Sequence, residues 1–266
     1  MNDTLPTPNI VLFGESGSGK SSIVNMIGKC DTAPVGSNAQ GVTLSSTCYR
    51  VEFEGSHFNV YDTAGLDEAD EGSVPKREAV VQLYRLLKSL ETGVNLLIFC
   101  WRAPRIKDNT YKNWRLFHEI ICDCHVPIVL AITGLEQEDD MDHWWLRNKG
   151  GFQKYQIHPN GVACITATRG RQLKSGAHRL DEEYEESQMK MWKQIRTYCL
   201  EEAWKVPPVE WLRRVMTVTY ETRLCQSTIE HRTFHNEAAA GLKQLVARCE
   251  LSEKDAWELS EALSKE

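Results

Sequence analysis

With 266 residues, 41% of them hydrophobic and 26% charged, the chain is long enough for one elaborated domain or for one full core with an appendage. Its formal charge of −6 supplies no chain-wide positive field for nucleic acid or an anionic membrane. The longest strongly apolar run, Val94 to Trp101, is far too short to span a bilayer. The first six residues carry neither a basic stretch nor a long apolar one, and lipidation motifs are absent, so the expected address is the cytoplasm. Nine scattered cysteines, an odd number, suit a reducing compartment better than a disulfide framework. His118, Cys122, Cys124 and His125 are spaced as zinc ligands could be, but Ile120, Ile121 and Cys122 read more simply as the packed side of a helix.

Taken in chain order, Asn9 to Phe13 is a short apolar run ending at glycine, as a buried parallel strand should be. Ile23, Val24, Met26 and Ile27 place a helix over Lys20 to Lys29. Tyr49–Phe53 and His57–Tyr61 alternate, and Glu54-Gly55-Ser56 between them reads as a hairpin turn. A helix is expected from Lys76 to Leu90, with Val80, Leu83, Leu86, Leu87 and Leu90 on one face. Val94–Cys100 then reads as a strand, Tyr111–Cys122 as a helix, Val126–Ile132 as a strand and Gly161–Ile165 as a last short strand before a long helix around Glu182–Ala203. Strands alternating with helices, with one early hairpin, predict an α/β fold. Its sheet is mainly parallel, with one antiparallel edge strand and helices on both faces. Pro207-Pro208 interrupts the chain, and the expected division is a domain at 8–205 followed by a helical extension at 206–266. That extension is read as a helix from Val209 to about Thr222 and a helical tail from about Asn236, with Ser252-Glu253-Lys254-Asp255 capping a final helix. Leu242, Leu245, Val246 and Cys249 recur at helical spacing, either as its core face or as a partner-binding face, and His231 and His235 are an isolated pair four apart.

Gly14-Glu15-Ser16-Gly17-Ser18-Gly19-Lys20-Ser21 fits the phosphate-binding loop pattern in full, between a strand and a helix. Backbone N–H groups of such a loop turn inward around phosphates, and the helix start adds its positive dipole. Glu15, Ser16, Gly17, Ser18, Gly19, Lys20, Ser21 and Ser22 are therefore the expected triphosphate cradle, with Lys20 at the β- and γ-phosphates and Ser21 giving its hydroxyl to Mg²⁺. Asp62-Thr63-Ala64-Gly65 follows a strand at a place where Asp62 would face the same Mg²⁺ and the Gly65 N–H the γ-phosphate.

On these motifs the chain resembles a P-loop GTPase (G domain) of the translation-factor-related class. It is most similar to septin-like and immunity-associated GTPases and to fungal G-domain proteins. The resemblance covers about residues 8–205 and rests on Gly14–Ser22, Gly41-Val42-Thr43, Asp62–Leu66 and Thr133–Glu136. It implies GTP and GDP with Mg²⁺ as ligands and a switch threonine that completes the Mg²⁺ shell. Thr43 and Thr47 compete for that role, with Thr43 favoured because it stands farther from the strand at Tyr49. The family's Asn-Lys-x-Asp base-reading box is replaced by Thr133-Gly134-Leu135-Glu136, where the Glu136 carboxylate can accept N1–H and the amine of guanine. The other reading of Glu136 is a solvated member of an acidic loop with Glu138, Asp139 and Asp140. Thr166-Ala167-Thr168 resembles the loop whose backbone touches the guanine oxygen.

Leu66 stands where Ras-like enzymes keep the glutamine that orients water, which implies slow intrinsic hydrolysis. Relatives with this substitution often pair across the nucleotide face, so a nucleotide-dependent homodimer is an expected partner alongside an effector of unknown nature. Arg102, Arg105, Arg169 and Arg171 are candidate charge stabilisers, each read more simply as a surface or structural arginine. Two alternatives stay open: an assembly module whose turnover is incidental, and an ATP-using P-loop enzyme.

Overall fold

The computed structural model describes residues 6–28, 46–66, 77–104, 108–222 and 228–266. The chain divides into two compact units, Met1–Pro207 and Pro208–Glu266. In the first, the strands are β1 (Asn9–Phe13), β2 (Thr47–Phe53), β3 (Ser56–Asp62), β4 (Leu96–Arg102), β5 (Ile128–Thr133) and β6 (Gly161–Cys164). The helices are α1 (Lys20–Gly28), α2 (Arg77–Ser89), α3 (Asp108–Trp114, continued as a π-helix over Arg115–Ile121), α4 (Met141–Lys154) and α5 (Asp181–Tyr198). The sheet order is β2-β3-β1-β4-β5-β6, and β2 is the antiparallel edge strand.

β1 and β5 are buried at every residue, as strands covered on both faces must be, whereas β2 at the edge leaves most of its residues exposed. The hairpin between β2 and β3 closes on Glu54 (φ 48°) and Gly55 (φ 78°), two successive left-handed residues that match the right-handed twist of the paired strands. One face of the sheet carries Ile10, Leu12, Leu96, Ile98, Val129 and Ala131 beneath α1 and α5. Trp192 of α5 stacks on Phe53 at 4.3 Å between ring centroids and leans on Phe58 at 5.3 Å, which fastens the edge hairpin to the far helix. The opposite face is aromatic. Phe13 meets Phe99 at 5.0 Å and Phe117 at 5.4 Å, and Trp101 meets Trp144 at 5.6 Å and Phe152 at 5.0 Å.

At the N-terminal ends of the strands a polar clamp replaces apolar packing. Asn95 Oδ1 accepts the Asn9 N–H at 2.8 Å, Asn9 Nδ2 donates to Gly93 O at 2.7 Å, and Asn59 Nδ2 donates to Asn9 Oδ1 at 3.0 Å. These bonds pair main-chain groups that would otherwise be buried without partners where the strands begin.

Three elements differ from expectation. Helix α4 was hidden by Gly150-Gly151 and by the acidic stretch before it, although Asp140 is an N-cap whose Oδ1 accepts from the N–H of Asp142 (2.9 Å) and His143 (3.1 Å). The helix expected at Val209–Thr222 is instead strand β7 (Leu212–Thr222), paired antiparallel along its length with β8 (Thr228–Ala238), which also contains His231 and His235. Val, Thr and Tyr dominate Val215–Tyr220, and such β-branched and aromatic residues suit a pleated strand. The helical tail follows as α6 (Ala240–Cys249) and α7 (Glu253–Leu263), the latter capped by Ser252, whose Oγ accepts the Asp255 N–H at 3.1 Å. Leu242, Leu245 and Cys249 are buried, as core residues rather than an open partner face would be.

The π-helix closes with Cys122 N–H donating five residues back to Phe117 O at 3.0 Å. Cys122 lies in the apolar interior, where burial pushes its thiol up to about 12, and the packing reading of this stretch accounts for it. His118 packs against Trp114 at 5.1 Å, its Nδ1 is buried without a hydrogen bond, and burial lowers its pKa from 6.5 to about 4. A neutral histidine held this way contributes stability above pH 6.5 that is lost as pH falls toward 4, because the unfolded chain takes up the proton first. Urea denaturation between pH 7.5 and 4.5 should show wild type losing more stability than His118→Phe over that window; parallel losses would assign the acid sensitivity to other groups.

Candidate functional site

The loop Gly14–Ser21 leaves the C-terminal end of the central strand β1 and enters α1 at Lys20. Gly14 has φ 146°, and a Cβ there would lie 2.1 Å from Cys100 O, so no other residue permits the loop to leave the sheet at this angle. The Gly14 carbonyl is bonded twice, by Lys20 Nζ at 3.1 Å and by the Leu66 N–H at 3.0 Å. Lys20 Nζ also donates to Glu15 O at 2.8 Å, which keeps the nearly buried lysine folded over its own loop. Across the sheet, Thr133 Oγ1 donates to Ser18 O at 2.9 Å, and Thr63 Oγ1 donates to Leu12 O at 2.7 Å. Ser16 and Gly17 stand exposed on the rim, and Ser22 is half-buried in the first turn of α1. Ser18 Oγ is buried and makes no hydrogen bond.

Asp62, at the end of β3, is brought to the same place. Ser21 Oγ donates to Asp62 Oδ2 at 2.6 Å, while Asp62 Oδ1 is buried with no hydrogen bond at all. Burial raises the pKa of this carboxyl, and the Ser21 hydroxyl and the Lys20 ammonium only partly offset that. An orphaned buried polar atom costs about 1–3 kcal/mol, so the arrangement is explained by what it can receive rather than by the fold. Two adjacent hard oxygens, one of them a carboxylate, are the donor set that Mg²⁺ takes. The site therefore fits the metal, and Ser21 and Asp62 are the residues that could hold it. Gly65 passes close above the loop: a Cβ on it would stand 2.7 Å from the Ser16 nitrogen. Thr43, with Gly41 and Val42, lies outside the described residues, as does the acidic stretch Asp67–Gly72. Thr47 is the first residue of β2, opposite Asp62 in the ladder.

In the connection between β5 and α4, Glu136 is half-buried and makes no hydrogen bond or ion pair among the described residues. Of its acidic neighbours, Glu138 pairs with Arg147 and Asp140 caps the start of α4. Thr133 turns out to hold the phosphate loop, its hydroxyl being committed to Ser18. Thr166 is likewise occupied: its N–H donates to Ser187 Oγ at 3.0 Å and its hydroxyl to Thr168 O at 3.2 Å. The next amide, Ala167 N–H, finds no acceptor among the described residues. Ser187 had no signal in the sequence, being one serine within a helical stretch. It nevertheless fixes this loop, since its hydroxyl also donates to Glu183 O at 2.6 Å. Leu66 is fully buried, so its side chain belongs to the core. Arg169 is structural, paired with Asp181 at 2.6 Å and lying 4.3 Å over the Tyr184 ring. Arg102 and Arg171 are exposed, and Arg105 lies outside the described residues.

Residues 9–133 match the family described as 50S ribosome-binding GTPase. The chain is 25% identical over 179 residues to GTPase Der of Campylobacter curvus, covering 65% of this chain and 36% of that protein. It is 27% identical over 140 residues to Immune-associated nucleotide-binding protein 10 of Arabidopsis thaliana, covering 50% of this chain and 30% of that one. It thus spans about a third of the length of these relatives. Among solved structures it resembles Era in complex with MgGDPNP and 16S ribosomal RNA. The TM-score is 0.51 at 12% identity, over 98% of this chain and 87% of that one, and this is a likeness of fold. The architecture is the α/β fold of P-loop NTPases, a mainly parallel sheet with one antiparallel edge strand.

Because the folded state raises the Asp62 pKa, ionised Asp62 destabilises the nucleotide-free protein at neutral pH, and removing the charge relieves that cost. Asp62→Asn should therefore melt no lower than wild type without nucleotide, yet lose the Mg²⁺-dependent part of its nucleotide affinity in fluorescence titrations with and without EDTA. A variant that melts lower and keeps its Mg²⁺ response would separate Asp62 from the metal.

Proposed function

We propose that this chain binds GTP and GDP with Mg²⁺ and hydrolyses GTP slowly to GDP and phosphate, acting as a nucleotide-dependent switch. The observation that carries this reading is the Ser21–Asp62 contact with its orphaned carboxylate oxygen, set beside Lys20 inside a complete phosphate loop. When bound, Mg²⁺ would neutralise charge between the β- and γ-phosphates. The chain's own contributions are the loop amides, the Lys20 ammonium on the β- and γ-phosphates, and the Gly65 N–H against the γ-phosphate. Thr43 is the proposed switch ligand.

Guanine is preferred because Glu136 has no other task among the described residues, and its carboxylate would accept N1–H and the exocyclic amine. Adenine offers a bare N1 acceptor there, an unfavourable pairing that costs about 1–3 kcal/mol. The Ala167 N–H is the amide left to meet the guanine oxygen, in place of Thr166. The immune-associated relative agrees with an immunity-associated affinity, and the septin-like and fungal affinity is read from the motifs alone. No helix among the described residues is long and apolar enough to cross a membrane, and a cytoplasmic address is part of this proposal.

Competition titrations test the reading directly. Wild type should prefer GTP to ATP, Lys20→Ala should lose both while keeping its fold, and Glu136→Ala should weaken GTP more than ATP by about 5- to 150-fold. Unchanged GTP affinity in folded Lys20→Ala would remove the phosphate-loop assignment, and equal losses for both nucleotides would remove Glu136 from the base site.

A second reading, GTP-dependent assembly, is favoured by one observation: Leu66 is buried in the core and leaves no water-orienting side chain at its position. An arginine supplied by a second copy would raise such a rate by about 10³–10⁵. Specific activity should then climb with protein concentration in step with a GTP-dependent rise in mass by light scattering. Flat activity from a chain that stays monomeric with a non-hydrolysable analogue would leave slow hydrolysis by the single chain.

A further inference from the structure

Helix α4, on the aromatic face of the sheet, and helix α5, on the other face, both flank the edge strand β6, and Lys190 of α5 joins them by bridging Asp142 at 3.0 Å and Glu186 at 2.9 Å. Beyond that bridge they part around a groove of about 530 Å³. Trp145, Lys149 and Gln153 line it from α4, Gln194 and Tyr198 from α5, and His158 from the connection between α4 and β6. Gly161 forms the floor where β6 begins, and a Cβ on it would strike Gln194 Oε1 at 2.1 Å and the Tyr198 ring at 2.4 Å. The groove thus lies at the N-terminal end of β6, whereas the phosphate loop follows the C-terminal end of the parallel strand β1.

Its chemistry is unlike the rest of the chain. The molecule carries a net charge of −6, yet no carboxylate lines the groove, and Lys149 and His158 are exposed with no ion pair among the described residues. Trp145 and Tyr198, both half-buried, line the same groove and offer an aromatic seat of the kind that receives an anchor side chain. Four large apolar side chains are exposed among the described residues, and two of them, Leu146 at 59% and Met189 at 56%, are on the helices that wall the groove. Lys149, Gln153 and His158 are all open to solvent, so the groove does not enclose a ligand as a small-molecule site does.

We propose that the α4–α5 groove docks an acidic segment of a partner protein. One large apolar side chain of that segment seats between Trp145 and Tyr198, and its flanking carboxylates meet Lys149 and His158. Nothing in this geometry blocks the phosphate loop, so the partner can be held in either nucleotide state.

A random dodecapeptide phage library panned against the full chain tests this. The enriched sequences should carry Asp or Glu around one large apolar residue. A fluorescein-labelled synthetic copy of the most enriched peptide should bind Lys149→Glu/His158→Glu about tenfold or more weakly by anisotropy. Both exchanged side chains are exposed, and an unchanged melting temperature will establish that the variant is folded. Enrichment of basic or neutral sequences, no enrichment, or equal peptide affinity for variant and wild type would overturn the proposal. So would a mass in light scattering that is dimeric for wild type and monomeric for the double variant, which would make a second copy the occupant.

Discussion

The carbonyl oxygen of Gly14 is the point on which the site turns. It receives the Lys20 ammonium from one side and the Leu66 N–H from the other, and so joins the phosphate loop, its lysine and the segment after β3. Glycine is required there because the Cys100 carbonyl lies where a Cβ would be. With that joint made, Asp62 arrives beside Ser21 and Gly65 passes close to Ser16. Thr133 secures the loop from the far side through Ser18. The phosphate loop is thus braced by the Leu66 N–H and the Thr133 hydroxyl, and the loop after β6 by the Ser187 hydroxyl.

That division matches what could be read from the amino acids. Short-range chemistry was legible: the glycine spacing, Lys20, Ser21 and the Asp62–Gly65 turn each follow from residues adjacent in the chain. Long-range commitments were not. Thr133 was read as part of a base-reading box, and only the fold reveals that its hydroxyl reaches a residue 115 positions away. Thr166 was read as an amide donor to guanine, but Ser187, from the following helix, already takes that N–H. Leu66 was read as unable to orient water, and its burial makes the side chain part of the core.

The fold shows the same pattern. Apolar runs such as Asn9–Phe13 and Ile128–Thr133 announce central strands because both faces are covered. Helix α4 was missed because its start is signalled by a cap, Asp140, inside a run of acids, and because two glycines interrupt its periodicity. The segment Leu212–Thr222 was read as a helix, whereas its Val, Thr and Tyr content favours the pleat that pairing with β8 provides. Pairing across a turn is a non-local property, and a window confined to one segment does not contain it.

Ser18 Oγ and Asp62 Oδ1 also bear on the lifetime of a complex. Both are buried and without hydrogen bonds, and each such atom disfavours the ligand-free chain by about 1–3 kcal/mol. A ligand that satisfies them is held the more tightly, since its departure restores both costs.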